Sequence, residues 1–260
     1  MARLPAIFIG HGSPMVALEQ SDVTRNWAAL AQKIGKPRAI LAISAHWVTR
    51  GTAVTAMPAP RTIHDFGAFP QALFDVRYPA PGDPELASRV RELLAPMPVA
   101  LDASWGLDHG TWSVLVHAYP EADVPVVQLG MDAAKTPAQH FEVGRRLRAL
   151  RDEGVLILGT GNIVHNLREM DWDNPGVEPY PWSRRFNDHV TTAIREDAPE
   201  RVIAFEALGR DAALAVPTPD HFWPLLYVLG ARHEGEGVRF DPDFIHHGSL
   251  GMTSVLFGTD

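Results

Sequence analysis

Seven short apolar runs interrupt this chain, and most of them are continuous rather than alternating in polarity. They are rich in Val, Ile and Leu and lie at 5–10, 38–45, 54–57, 99–101, 124–129, 155–158 and 253–257. Continuous apolar runs of this length are typical of strands that are buried on both faces. The pattern therefore predicts a sheet whose inner strands lie between two covering layers.

Longer stretches between these runs carry apolar residues at helical spacing. In 24–34 they fall on one helical face, and 84–94 begins with a proline directly after an aspartate. A third helix is predicted over 137–152, where a Thr-Pro pair begins the helix and a glycine follows it. Alternating strands and helices predict an α/β fold, a single three-layer α/β/α domain over residues 1–260 with a central mostly parallel or mixed sheet.

Composition and charge narrow the possible partners. The chain has 260 residues, a formal net charge of −8 and no cysteine. A negative chain without a basic stripe is not expected to bind nucleic acid or an anionic membrane. No apolar run approaches the roughly 20 residues of a membrane helix, and the N-terminus lacks a signal-peptide pattern, so we expect a cytoplasmic protein. The lack of cysteine excludes disulfides, thiolate catalysis and zinc–sulfur sites.

Three of the apolar runs lead to a histidine, the third of them through the segment 159–164. His11 follows the first run, His46 the second and His165 the run at 155–158, while His221 precedes an apolar helix-like stretch. The carboxyl ends of parallel strands form the ligand crevice of an α/β sheet, so these imidazoles are expected to meet there. In a chain without cysteine they predict a metal site built from imidazole, with zinc as the usual occupant.

Glycines surround two of the candidate histidines. Asp108 and His109 lie between two glycines, which indicates a loop that approaches its neighbours closely. A functional carboxylate–imidazole pair and a structural turn are both open there. The segment that begins at Gly161 predicts a strand-to-helix turn with His165 one turn into the helix.

The remaining histidines lack this setting. Polar neighbours indicate positions without catalytic function for His140, His189 and His233, and the role of the pair His246-His247 is left open.

Two stretches without regular periodicity, 57–84 and 168–182, are long enough to be functional loops. Both carry bulky aromatic residues, which argues against flexible interdomain linkers. His64 in the first stretch is a candidate for substrate contact, with a purely structural role equally open. Tyr227, in the apolar stretch after His221, is a weaker candidate of the same kind.

These residues together resemble the class III extradiol ring-opening dioxygenases of the LigB-like superfamily, and within it the 4,5-DOPA dioxygenase branch. The matching pieces follow the family order and span residues 10–221. They are Gly-His-Gly-Ser-Pro at 10–14, Ser-Ala-His-Trp at 44–47, Ile-His-Asp-Phe-Gly-Ala-Phe-Pro at 63–70, Gly-Leu-Asp-His-Gly at 106–110, Gly-Asn-Ile-Val-His-Asn at 161–166 and Pro-Thr-Pro-Asp-His at 217–221.

The resemblance implies roles for five histidines. His11, His46 and His221 would hold the metal, and His165 would line the same cavity. His165 is then either a fourth ligand in a zinc-loaded form or an acid–base residue in an iron-loaded form, and His109 is a second acid–base histidine.

The implied ligand set also bears on the metal. Many extradiol enzymes bind Fe(II) through two histidines and one carboxylate, and Glu206 is the fallback carboxylate if that arrangement applies here. Zinc has no accessible redox change and is poorly suited to O₂ activation. We therefore expect Fe(II) to support activity and Zn(II) in a purified sample to be adventitious or inhibitory.

The expected activity is extradiol opening of the ring of a DOPA-like catechol with O₂. Two other functions use the same residues: a zinc-dependent hydrolase, and a non-catalytic LigB-like binding protein. No motif supplies the water-orienting carboxylate that the hydrolase needs. The complete set of histidines argues against the binding protein. The sequence leaves the physiological catechol and the oligomeric state open.

Overall fold

Nine strands form one sheet in the computed structural model, which describes residues 3–259. A separate two-stranded ribbon pairs β9 with β10. The strands are β1 (Ala6–Gly10), β2 (Ala39–Ser44), β3 (Val48–Thr49), β4 (Thr52–Thr55), β5 (Val99–Asp102), β6 (Val126–Asp132), β7 (Val155–Gly161), β8 (Val238–Phe240), β9 (Ile245–His246), β10 (Leu250–Gly251) and β11 (Val255–Phe257).

The centre of the sheet is parallel and its borders are mixed. Strands β6, β2, β7 and β1 lie side by side in this order, and each pairs in parallel with the next. Strand β4 is antiparallel to β6, and β11 is antiparallel to both β1 and β8. The predicted mostly parallel or mixed sheet is confirmed.

Helices surround the sheet. They are α1 (Asp22–Ile34), α2 (Gln71–Asp75), α3 (Pro84–Leu94), α4 (His109–Ala118), α5 (Pro137–Leu147), α6 (Pro181–Arg195), α7 (Pro199–Ile203), α8 (Arg210–Ala215) and α9 (Trp223–Gly230). Short 3-10 turns lie at Pro14–Leu18, Arg148–Arg151, Phe205–Leu208 and Pro219–His221. No helix within 3–259 has both the length and the hydrophobicity needed to cross a bilayer.

The predicted helices begin where their capping residues stand. The Ser21 hydroxyl accepts from Thr24 N–H at the start of α1, and the Asp83 carboxylate accepts from Leu86 N–H at the start of α3. The third predicted helix, 137–152, is shorter than expected, because α5 ends at Leu147 and continues only as a 3-10 turn. The stretch at 57–84, predicted as a loop, contains α2.

Alternate residues of the central strands feed two separate cores. Ala6 and Phe8 of β1 face the core under α5, α6 and α9, whereas Ile7 and Ile9 face the core under α1 and α4. Because successive strand residues point to opposite faces, both faces are apolar and both need a helical cover. The three-layer α/β/α arrangement is confirmed.

Register brings the carboxyl ends of the central strands to one edge. Gly10 at the end of β1 pairs with Gly161 at the end of β7, and Ser44 at the end of β2 pairs with Thr160. The residues that follow these strands therefore begin at the same level, and they include His11 and His46.

Candidate metal centre and active site

Five imidazoles gather at this edge of the sheet. His11 and His46 follow β1 and β2, and His109 is the first residue of α4. His165 lies in the chain after β7, and His221 ends the 3-10 turn before α9. The edge at which the sequence predicted His11, His46, His165 and His221 to meet is where these side chains lie, and His109, which no strand end indicated, joins them there.

The local structure of His165 differs from the prediction. No helix begins after β7 until α6, and His165 instead forms an isolated bridge with Leu250. Its backbone N–H donates to the carbonyl of Ala215. Tertiary backbone contacts therefore hold this residue in extended chain, so the predicted strand-to-helix turn is wrong.

A buried polar network fixes the start of α4 and with it His109. The fully buried Asp108 caps the helix by accepting from Thr111 N–H, and it also accepts from Ser44 Oγ at 2.6 Å. The amide of Gln128 donates to the other carboxylate oxygen. Because Ser44 ends β2 and Gln128 lies on β6, this network ties the helix to two strands of the sheet.

Two glycines allow the histidine-bearing segments to approach each other. A Cβ on Gly110 would lie 2.5 Å from Ser44 Oγ and 2.7 Å from His46 Cδ2. A Cβ on Gly161 would lie 2.2 Å from the carbonyl oxygen of His221. All three distances are shorter than a Cβ atom tolerates, so glycine is required at both positions for close packing.

Three of the imidazoles have the ring spacing of a shared metal site. The ring centres of His11 and His46 are 5.2 Å apart, those of His11 and His221 5.6 Å, and those of His46 and His221 5.0 Å. Imidazoles that bind one ion through nitrogens at about 2.1 Å have ring centres roughly 5 Å apart. This triangle fits a three-histidine metal site.

Nitrogen positions bring a different third residue close. One nitrogen each of His11, His46 and His109 lie within 4.8 Å of one another, and the rings of His46 and His109 are only 3.8 Å apart. Rotation about χ2 of histidine moves the nitrogens while it leaves the ring centre nearly in place. Ring spacing is therefore the firmer criterion, and it favours His221 over His109 as the third ligand.

Two imidazole nitrogens that face each other inside the cluster also fit a cation. The Nε2 atoms of His11 and His46 face each other at 3.2 Å. Within residues 3–259, the buried Nδ1 of His11 has no hydrogen-bond partner. Converging imidazole nitrogens with no protein donor between them match the donor set of a non-haem metal.

Two carboxylates orient the imidazoles from behind. Asp65 Oδ2 lies 3.0 Å from Nδ1 of His109 and 3.5 Å from Nδ1 of His46, and Oδ1 accepts from the backbone N–H of His109. Asp220 Oδ2 lies 2.5 Å from Nδ1 of His221. The hydrogen bond between Nδ1 of His221 and Asp220 fixes the tautomer of that ring and leaves its Nε2 free for a metal or a proton. Asp65 and Asp220 both lie in the motifs at 63–70 and 217–221, but the sequence pattern did not indicate that they orient the imidazoles.

Burial keeps three imidazoles of the cluster, His11, His46 and His165, uncharged near neutral pH. Burial, followed by the neighbouring histidines, lowers the pKa of His11 and of His46 well below the usual value. Burial and the charge of His221 lower the pKa of His165 to about 3, although Asp220 opposes the shift. Neutral imidazole is the form that binds metals and accepts protons.

The cluster lies in a cavity of about 820 Å³. All five imidazoles of the cluster line it, and Phe66 and Phe69 add aromatic wall from the stretch at 57–84. A space of this size, with aromatic and apolar wall beside the imidazoles, suits a small aromatic molecule.

Three other candidates from the sequence lie outside this cavity lining. His64 lies behind Phe66, with ring centres 5.7 Å apart, and its Nε2 donates to the carbonyl of Val76. Tyr227 is buried in α9, where its hydroxyl pairs with Nδ1 of His140. Glu206 is exposed on a 3-10 turn away from the imidazoles. The structure therefore gives none of the three a contact with the cavity, and His64 and Tyr227 have structural surroundings instead.

The profile of a protein family matches residues 5–258, and its description is "Catalytic LigB subunit of aromatic ring-opening dioxygenase". The chain belongs to the LigB family. A LigB-family relative from Escherichia coli K12, named "4,5-DOPA dioxygenase extradiol", is 51% identical over 98% of this chain and 95% of its own length. One with the same name from Beta vulgaris is 38% identical over 95% of this chain and 96% of its own length.

A solved structure supports the same assignment. The crystal structure of an uncharacterized protein from Escherichia coli K12 superposes with a TM-score of 0.85 at 46% identity, and the match covers 98% of this chain and 100% of that one. Together with the buried histidine cluster, these matches make the protein an extradiol, aromatic ring-cleaving dioxygenase with a histidine-ligated metal. The zinc hydrolase and the non-catalytic binding protein are not favoured.

Proposed function

We propose that this LigB-family protein opens the ring of a DOPA-like catechol with O₂ at ferrous iron, and that the whole chain acts as one catalytic domain. The observation that carries the proposal is the buried histidine cluster at the floor of an aromatic-walled cavity. The DOPA-like substrate follows from the names of the relatives, which match this chain over almost its full length.

His11, His46 and His221 would hold the metal. Their near-equilateral ring spacing supports this set, and so does Asp220, which leaves Nε2 of His221 free. When bound, iron supplies open coordination positions for the catechol oxygens and O₂ and a redox change that zinc lacks. The neutral state of His11 and His46 means that few protons compete with the ion near pH 7.

His165 and His109 are suited to opposite proton transfers. His165 stacks on His221, with ring centres 3.5 Å apart, and its lowered pKa leaves the ring unprotonated at neutral pH, with a lone pair that can accept a proton. We assign it the removal of a proton from a substrate hydroxyl. His109 has the carboxylate of Asp65 at 3.0 Å as a charge partner for its protonated form, so we assign it the return of a proton later in the reaction.

The metal assignment is tested by reconstitution. Metal-free protein is loaded anaerobically with Fe(II) or with Zn(II), mixed with catechol or L-DOPA, and exposed to air. We expect the Fe(II) form to produce a yellow ring-fission product and the Zn(II) form to produce none. Cleavage by the Zn(II) form alone would contradict the proposal. Ester or amide hydrolysis without catechol cleavage would favour the hydrolase, and inactivity toward both classes without metal retention would favour a binding protein.

A further inference from the structure

Part of the lining of the active-site cavity carries polar groups that the ring-opening chemistry does not use. Trp172, His246 and His247 line the cavity together with the histidine cluster. We call these three residues the tail wall, after the substrate side chain that we propose they contact. Trp172 comes from the irregular stretch at 168–182, and the two histidines come from β9 and the turn after it. Trp172 is 63% exposed, which is unusual for the largest side chain and places it at the cavity mouth.

The backbone of His247 is held in a conformation that side chains other than glycine rarely adopt. Its φ is +50°, in the left-handed region. Three contacts keep it there: its N–H donates to Pro175 O, its carbonyl accepts from Asp171 N–H, and its Nδ1 lies 2.7 Å from Asp171 O. A residue that three hydrogen bonds hold in a strained backbone conformation at a cavity wall is a candidate for a functional role.

These contacts also fix the tautomer of His247. A carbonyl oxygen can only accept, so Nδ1 must carry the proton that it donates to Asp171 O. In the neutral ring, Nε2 is then left with a lone pair and acts as a hydrogen-bond acceptor. The ring lies beside Trp172, with centres 5.9 Å apart, and beside His246 at 5.8 Å.

The charged side chains of the cavity also favour a hydrogen-bond donor or a cation over an anion. Apart from imidazoles, the charged side chains that line it are Glu19 and Asp22, and Asp22 already pairs with Arg25 at 2.6 Å. In the part of the chain that the structure describes, no lysine or arginine lines this cavity. An anionic substrate tail therefore meets no fixed cation, whereas a cationic tail meets an acid and an imidazole acceptor.

We propose that His247 is a specificity-determining residue that accepts a hydrogen bond from an ammonium group on the substrate tail, so that the enzyme prefers amine-bearing catechols to catechols whose only tail charge is a carboxylate. This inference rests on the proposed function and names the tail that the same cavity selects. Trp172 would cover the alkyl part of that tail at the mouth.

The first test compares substrates on the unmodified, iron-loaded protein. We expect kcat/KM for dopamine to exceed that for 3,4-dihydroxyphenylacetate by about tenfold or more, the usual effect of one hydrogen bond to a charged group. The dissociation constants of the two catechols, titrated anaerobically without turnover, should differ in the same direction. Equal or tighter binding of 3,4-dihydroxyphenylacetate would overturn the inference.

The second test uses His247→Asn, because asparagine tolerates the left-handed backbone while its short amide reaches less far into the cavity. We expect a rise of about tenfold in KM for dopamine, an unchanged kcat, and little change for unsubstituted catechol. The matched control is His189→Asn on α6, outside this cavity, which should leave both substrates unaffected. A parallel loss for catechol and dopamine would indicate a merely structural role for His247.

The two proposals fail in different ways. If the iron-loaded protein opens no catechol but still binds dopamine more tightly than 3,4-dihydroxyphenylacetate, the proposed reaction is wrong and the tail inference stands. If catechols are opened without any preference for the amine, the reaction stands and the role of His247 is wrong.

Discussion

At the scale of single residues, Asp65 connects the two halves of the histidine cluster. One carboxylate oxygen accepts from the backbone N–H of His109, and the other lies near Nδ1 of both His109 and His46. Burial by itself raises the pKa of this carboxyl, but the hydrogen bonds and the charge of His109 lower it overall. Asp65 is therefore ionised at neutral pH and orients one proposed ligand and one proposed proton donor at once.

We expect Asp65→Asn to weaken metal binding by about 10- to 100-fold, the usual effect of losing a carboxylate behind a ligating histidine. Ring opening should also slow at saturating metal, because His109 loses the charge partner of its protonated form. Metal affinity is measured by competition with a chelator. The value of kcat is measured on enzyme that is fully loaded with metal. Asp75→Asn, an exposed carboxylate on α2, is the control and should change neither. Unchanged affinity and kcat in Asp65→Asn would contradict this role.

At the scale of elements, α5 and α9 pack together with a polar pair between them. His140 of α5 is fully buried, its Nδ1 pairs with the hydroxyl of Tyr227 at 2.8 Å, and its ring stacks near Trp223. The sequence placed His140 among polar neighbours on a helix and Tyr227 near the substrate. Packing of the two helices instead turns both side chains into the protein interior, so this pair contributes to stability.

This buried pair predicts a pH dependence of stability. Burial, with Lys135 next in effect, lowers the pKa of His140 from 6.5 to about 4. Between these values the unfolded chain binds a proton that the folded chain does not. The contribution of His140 to the free energy of unfolding is therefore full above pH 6.5 and falls as the pH drops toward 4. We expect this one group to account for about 2 to 3 kcal/mol of that loss.

Urea unfolding at pH 7.5 and pH 4.5 measures the effect. His140→Gln removes the titrating group and keeps an amide that can bond the Tyr227 hydroxyl, so its stability should change less between the two pH values than that of the unmodified protein. Tyr227→Phe is the matched control, because it keeps the buried imidazole and should keep the full pH dependence. An identical pH dependence in His140→Gln would show that His140 is not responsible.

At the scale of the whole molecule, the metal centre joins segments that are far apart in the chain. Its proposed ligands follow β1 and β2 and precede α9, and the supporting histidines come from α4 and from the chain after β7. A bound ion would therefore tie together the central strands and helices from both covering layers. Binding to the folded state alone stabilises it by mass action.

We expect metal at 100 times its dissociation constant to stabilise the fold by about 2.7 kcal/mol, which corresponds to a rise in Tm of about 5 to 10 °C. Thermal melts with and without metal measure the rise. His46→Gln should lose most of it, whereas His189→Gln, on α6 and outside the cluster, should keep it. A rise of equal size in both variants would indicate that the ion binds elsewhere.

The strands and helix starts could be predicted because their signals lie within a few residues of each other in the sequence. Continuous apolar runs mark strands buried on both faces, and capping residues such as Asp83 mark helix starts, because each signal depends on neighbours in sequence. The helix predicted after β7 was wrong because distant backbone groups at Ala215 and Leu250 hold His165 in extended chain. Nothing within a few residues of His165 signals those contacts.

The sequence by itself predicted the α/β class, a mostly parallel or mixed sheet and, from the strand ends, histidines that meet at its edge, while the family resemblance added His109 to them. Parallel strands must end together, so residues after them converge wherever the strands pair. Only the tertiary structure decided the distances within the cluster: the ring spacing supports His11, His46 and His221 as the proposed ligands, and Asp65 lies beside His109. Likewise, only the tertiary structure brought His247 and the rest of the tail wall to the cavity that holds the cluster. Distances of a few ångströms between segments far apart in the chain depend on packing, which no local pattern records.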